Sequence, residues 1–191
     1  MRLFIALQIS DSIRNNYAEL IDDLKRFDEK AAPKKPKWVR PENLHVTLKF
    51  IGHTDSAKLD SICAALATVH SPREVRLHFL NVGFFPKAKR PRVIWGGMEA
   101  SENLARLAHD VDQQIATLGF PAEARAFTPH LTLARLDPPG ISPGLEIAVQ
   151  KHAAHDFGEL HASEFHLIES KLKPTGAEYT TLKSFPFVSK D

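Results

Sequence analysis

Two short stretches of this chain carry residue types suited to proton transfer. "HVTL" at 45–48 and "HLTL" at 130–133 set a histidine, an apolar residue, a threonine and a leucine in the same order. Side chains alternate across an extended strand, so His45 shares one face with Thr47, and His130 shares one with Thr132. Val46, Leu48, Leu131 and Leu133 are left to face a core. Ten histidines and nine threonines would give roughly half of one such match by chance, so a single match carries nothing. The pair gains weight from context, because both stretches begin a strand and lie 85 positions apart, close to half the chain. A looser copy, "HASE" at 161–164, fails because polar Glu164 breaks the apolar face.

Two facing histidines with neighbouring hydroxyls suit displacement at phosphorus, where the attacking and leaving oxygens lie in line on opposite sides. A neutral imidazole takes a proton from water and a protonated one gives a proton to the departing alkoxide. Thr47 and Thr132 would donate to the non-bridging oxygens, and an arginine would complete the charge balance. Arg135 is close in sequence, but residues 130 and 135 of an unbroken strand point to opposite faces. It joins the site only if the strand ends, twists or bulges near Ala134; the alternative is a surface salt bridge. Lys49 has the right parity beside Thr47, although an exposed lysine at a strand end is common.

The elements that must hold these residues follow from periodicity. Residues 2–9 predict a strand. Ile13, Tyr17, Leu20, Ile21, Leu24 and Phe27 then form the apolar stripe of a helix within 11–30, with Ser10 and Asp11 as capping candidates. After "WVR" come the first histidine strand, a helix over about 56–69 capped by Asp55 or Ser56, and a strand within 73–85. The order then restarts. "RPRVIWGGM" reads as a strand, 101–119 as a helix with Ser101 as N-cap and Gly119 as terminator, and "HLTLAR" as the second histidine strand. A short helix near 144–154 and two closing strands, "SEFHLIESKL" and "EYTTLKSFPF", paired through "KPTG", complete the chain. The expectation from these elements is a mixed α+β chain with largely antiparallel sheets and repeat halves at about 1–88 and 89–191.

With 191 residues and 43% hydrophobic content the chain can bury a sizeable core. A net charge of +2, from 25 basic and 23 acidic residues, does not describe a strongly electrostatic nucleic-acid binder. Local basic runs at 33–37 and 86–92 read as solvated loops, or as guides for a polyanion. The single Cys63, without CxxC or HExxH spacing, predicts a reducing, cytoplasmic setting without structural zinc. "MRLFIAL" is too short for a signal-peptide core, and no later run could span a membrane. His152 and His155 read as a solvated pair. Trp38, Trp95 and "GFF" at 83–85 read as packing aromatics in preference to base-stacking platforms.

The two motifs resemble the paired H-x-[ST]-apolar signatures of the two-histidine phosphoesterases, and specifically the LigT-like RNA 2′,3′-cyclic phosphodiesterases. The likeness extends to "MRLFIAL", "WVRPENLHVTLKFIGHTD", "RPRVIWGGM", "FTPHLTLAR" and "ESKLKPTGAEYTTLKSFPF", and so covers essentially the whole chain. The resemblance implies a single bilobal α+β domain over 1–191 with a central cleft, and a metal-independent, cofactor-free enzyme that opens RNA or nucleoside 2′,3′-cyclic phosphates to 2′-phosphates; a monomer with no membrane partner is further expected. It casts His45 as general acid and His130 as general base, and places the family's phosphate-binding residues on Thr47, Thr132 and Arg135. It also leaves open the reverse reaction, which joins RNA ends by a 2′,5′ linkage. Two other readings stand beside it: a module that binds RNA ends without turnover, and a phosphodiesterase for another small cyclic phosphate such as that of ADP-ribose.

Overall fold

The computed structural model describes residues 1–27, 35–71, 73–86, 90–174 and 176–187. Strand β1 (Arg2–Gln8) leads into helix α1 (Asp11–Lys25), where the Ser10 hydroxyl accepts from the Ile13 amide and satisfies one of the helix's free N-terminal donors. Ile13, Tyr17, Leu20, Ile21 and Leu24 bury the expected stripe. Phe27 lies beyond the helix and is exposed. A short strand β2 (Lys37–Trp38) and a 3-10 turn (Pro41–Asn43) precede β3 (His45–His53). The next helix splits in two, a 3-10 turn at Ser56–Lys58 capped by Asp55 and α2 (Leu59–Leu66), before β4 (Val75–Phe85).

The second half repeats the order with β5 (Val93–Ala100), α3 (Asn103–Ala116), β6 (Leu131–Arg135) and α4 (Pro143–Lys151). Ser101 does not cap α3 as expected. Its hydroxyl bonds to the backbone of Arg76 on β4, and Glu102 holds the N-cap position without a side-chain bond. Gly119 does end the helical segment at φ +83°, a conformation that glycine adopts without steric cost. A strand that the sequence reading did not contain, β7 (Asp156–Ala162), precedes β8 (Glu164–Lys173) and β9 (Gly176–Pro186). The last two pair from Lys173↔Gly176 onward; Thr175 of the expected turn is outside the described residues, as are parts of both basic runs.

All the pairings are antiparallel and form two sheets, ordered β3-β1-β8-β9 and β2-β6-β5-β4-β7. Each sheet contains the same three-strand series: a histidine strand, the opening strand of its own half, and a closing strand from the other half. β4 from the first half closes the second sheet, and β8 from the second half closes the first. The helices cross over too, since α1 packs on β7 and α4 while α3 packs on β3 and α2. One hydrophobic cluster therefore draws on nearly every element.

The Gly96–Gly97 pair on β5 shows how tightly the layers meet. On the core face a Cβ at Gly96 would come within 2.6 Å of the Tyr17 hydroxyl, so this glycine lets α1 seat a fully buried tyrosine stacked on Phe157. Burial drives the Tyr17 phenol far above its ordinary pKa, which keeps it neutral. No helix of the described residues is long and apolar enough to cross a membrane.

Candidate active site

The two histidine strands are built alike down to an irregularity. On β3, Thr47 pairs with Ala6 and Lys49 with Ile5; on β6, Thr132 pairs with Trp95 and Ala134 with Ile94. In each ladder one residue, Leu48 or Leu133, is extra, and this is a β-bulge three positions after the histidine. The bulge shifts the side-chain alternation. Burial along 46–50 and 131–135 follows one sequence in both strands: buried, half-buried, buried, buried, exposed.

That shift settles the parity of two residues in opposite senses. Past Leu133, Arg135 returns to the face of His130 and Thr132, as a functional role requires. Past Leu48, Lys49 is turned away from Thr47 into the core, contrary to its expected parity. It is 7% exposed, contacts the carboxylate of Asp112 and donates to the Pro121 carbonyl at 2.6 Å. Asp112 also accepts from the Glu123 amide at 3.1 Å. A buried charge needs such partners, and here they tie β3, α3 and the segment leading toward His130 into one network.

Both imidazoles are held in the same way. The Nδ1 of His45 lies 2.7 Å from the Asn43 carbonyl, and that of His130 lies 2.9 Å from the Thr128 carbonyl, two residues upstream in each case. A carbonyl only accepts, so each Nδ1 carries the proton and donates it, leaving Nε2 as the free nitrogen. Asn43 is itself fixed by donating from Nδ2 to the Ala177 carbonyl at the start of β9.

The strands bring these groups to one place. β3 and β6 pack against each other although they belong to different sheets. Burial pushes the His45 imidazole below the ordinary histidine range; the hydrogen bond to Asn43 opposes this, and the charges of Arg135 and His130 add to it. His130 is exposed, and Thr47 and Thr132 are half-buried beside their histidines.

Sequence reasoning missed the ring packing around His45. Phe4 lies 4.7 Å from the imidazole centroid, and Tyr179 meets it edge-on at 5.4 Å. Burial raises the Tyr179 phenol, while the charges of Arg135 and Arg2 lower it. The sequence showed only that Phe4, Ala6 and Gln8 of β1 alternate onto one face; the pairing of Gln8 with His45 makes it the histidine face. A cavity of about 470 Å³ opens beside His45, with Gln8, Arg14, Arg40, Tyr179 and Thr181 among its lining. Trp38 packs on the core as expected, whereas Trp95 pairs with Thr132 and therefore lies on the cleft face.

His152 and His155 lie with ring centroids 5.7 Å apart, and His152 Nε2 is 3.4 Å from Asp23. Among the described residues no group of three or more metal-ligating side chains gathers.

The model of the LigT like phosphoesterases matches residues 8–95 and 98–179. A protein of Archaeoglobus fulgidus named RNA 2′,3′-cyclic phosphodiesterase is 35% identical over 97% of this chain and 99% of its own length. One of Methanocaldococcus jannaschii with the same name is 33% identical over 97% and 100%. Among solved structures, a Thermus thermophilus protein superposes with a TM-score of 0.81 and 28% identity, covering both chains completely. Escherichia coli LigT in complex with 3′-AMP superposes at 0.74 with 25% identity over 97% of each chain. With the family's model matched across both histidine strands and full-length relatives at this level of identity, the chain belongs to the LigT-like phosphoesterases.

Proposed function

We propose that this protein hydrolyses the 2′,3′-cyclic phosphate of an RNA end or nucleotide to a 2′-phosphate, with His45 as general acid and His130 as general base. The observation that carries the reading is the common anchoring of the two imidazoles, each donating Nδ1–H to a carbonyl and keeping Nε2 for chemistry. Neutral His130 takes a proton through Nε2 as water forms its bond to phosphorus. The bond from phosphorus to the 3′-oxygen breaks on the opposite side, and protonated His45 delivers its Nε2 proton to that oxygen. Thr47 and Thr132 hydroxyls donate to the non-bridging oxygens, and the Arg135 guanidinium takes up the charge they gain.

The substrate class draws support from the relatives named RNA 2′,3′-cyclic phosphodiesterase and from the 3′-AMP complex of Escherichia coli LigT. A 5′-hydroxyl replacing water would run the same steps toward a 2′,5′ linkage. Proton transfer and charge balance are met by side chains of one chain, which favours a monomer acting without a metal ion. The lone Cys63 fits a cytoplasmic setting. The exchanged closing strands favour a duplicated origin for the halves 1–88 and 89–191, joined in one domain.

The test is product analysis. Incubation with 2′,3′-cyclic AMP in EDTA should give 2′-AMP; binding without product, or 3′-AMP as product, would contradict the assignment.

A further inference from the structure

The strand face that carries His130 and Thr132 continues sideways onto Trp95 of β5 and Gly83 of β4, which pair in register across the sheet. The six-membered ring of Trp95 lies over two glycines. A Cβ added at Gly83 would come within 2.9 Å of its Cζ2, and one added at Gly97 within 2.7 Å of its Cζ3. Any larger residue at either position would lift or turn the indole, since real Cβ atoms do not approach that closely. The two glycines thus form a bed on which the ring lies down against the sheet. Its exposure is intermediate between core and surface, on the sheet face that it shares with Thr132.

The corresponding position in the first half is Ala6, which pairs with Thr47 as Trp95 pairs with Thr132. Only one wall of the cleft therefore carries a flat indole next to a phosphate-binding threonine. Directly paired residues stand about 4.5–5.5 Å apart at Cα. A phosphate on the Thr132 hydroxyl is thus one ribose away from the indole face.

We propose that Trp95 is a stacking platform for the nucleobase of the nucleotide whose phosphate lies at His130, Thr132 and Arg135, so that base-bearing cyclic phosphates are the preferred substrate class. This deepens the proposed function and rests on a nucleotide phosphate occupying the cleft. An aromatic face takes any base, because every base offers a π-face, and this predicts a strong preference for having a base and a weak preference for which one.

The experiment compares kcat/KM for 2′,3′-cyclic AMP with that for the 2′,3′-cyclic phosphate of 1-O-methylribose, which lacks a base. Trp95→Ala should reduce the ratio between the two by about 5- to 150-fold, chiefly through KM for the nucleotide, and Trp95→Phe should lose less. An unchanged ratio, or equal loss on both substrates, would overturn the proposal. A second reading is independent of turnover: 2′-AMP should quench the tryptophan fluorescence of the parent protein, and Trp95→Phe, which keeps Trp38, should abolish the quenching. If the parent turns over neither substrate, the hydrolytic function fails while the quenching still decides the role of Trp95. Quenching that persists in Trp95→Phe, or is absent from the parent, counts against the platform.

Discussion

The first and second histidine strands share a motif, a bulge, a burial sequence and an anchored imidazole, yet they differ at three equivalent positions. Beside the motif threonine the first half has Ala6 and the second Trp95; four residues after the histidine stand Lys49 and Ala134; five after it stand Phe50 and Arg135. What is shared is, in the proposed mechanism, the apparatus for moving two protons. In the proposed mechanism the differences give the cleft its direction, because the second half supplies the Arg135 guanidinium and the Trp95 indole, while the first supplies a ring-packed His45 and the buried Lys49. A fold with two like-ordered halves can keep its symmetry where the reaction is symmetric, and a phosphoryl displacement is nearly symmetric only along the line of its entering and leaving oxygens.

The largest expected effect tests the shared part. His45→Ala and His130→Ala should each lower kcat by about 10²- to 10⁴-fold with unchanged thermal unfolding; full activity in either variant would remove that histidine from the mechanism. Next comes the ion pair of Lys49 with Asp112, whose lysine is replaced by Ala134 at the equivalent position of the second histidine strand. Lys49→Ala strands the Asp112 carboxylate and should cost about 3–5 kcal/mol in urea unfolding. A loss near zero would show that the network does not stabilise the fold. The third comparison sets Arg135→Ala against Phe50→Ala. Removing the guanidinium should lower kcat by about 10²-fold, with only partial recovery in Arg135→Lys because an ammonium cannot clasp phosphate in two places, while the Phe50 variant should change far less. Similar losses in both would mean that the cleft has no such direction.

A gentler test uses pH. The proposed mechanism requires a protonated His45 in the free enzyme, and kcat/KM reports that form. Burial holds the His45 pKa below its ordinary value of about 6.5, with Arg135 and His130 adding to the effect. The contribution of His45 should therefore be complete at low pH and be lost as pH rises through a pKa on the acid side of 6.5. A His45-dependent loss of activity on lowering the pH, or one on raising the pH with its midpoint above about 6.5, would contradict the assignment.

Much of this was legible in the sequence because it depends on local pattern. The apolar stripe of α1, the Ser10 cap and the two H-x-T strands follow from residue periodicity alone. The bulges do not, since Leu48 and Leu133 look like ordinary core residues and only the partner strand shows which residue is extra. Lys49 and Arg135 could not be assigned to a face without them. β7 was missed because Gly158 interrupts its alternation and several of its residues stay exposed. The exchange of β4 and β8 between sheets is likewise a long-range pairing that no local signal carries. That Trp95 shares a face with Thr132 and lies over Gly83 and Gly97 also depends on how the strands align.

The most direct measurement is a long-range ¹H–¹⁵N spectrum of the histidine side chains during titration with 2′-AMP. Both His45 and His130 should shift at Nε2 and keep protonated Nδ1, reaching saturation together at one nucleotide per chain. A nucleotide that perturbs only one of the two rings, or that saturates them at different concentrations, would mean that they do not flank a single phosphorus atom.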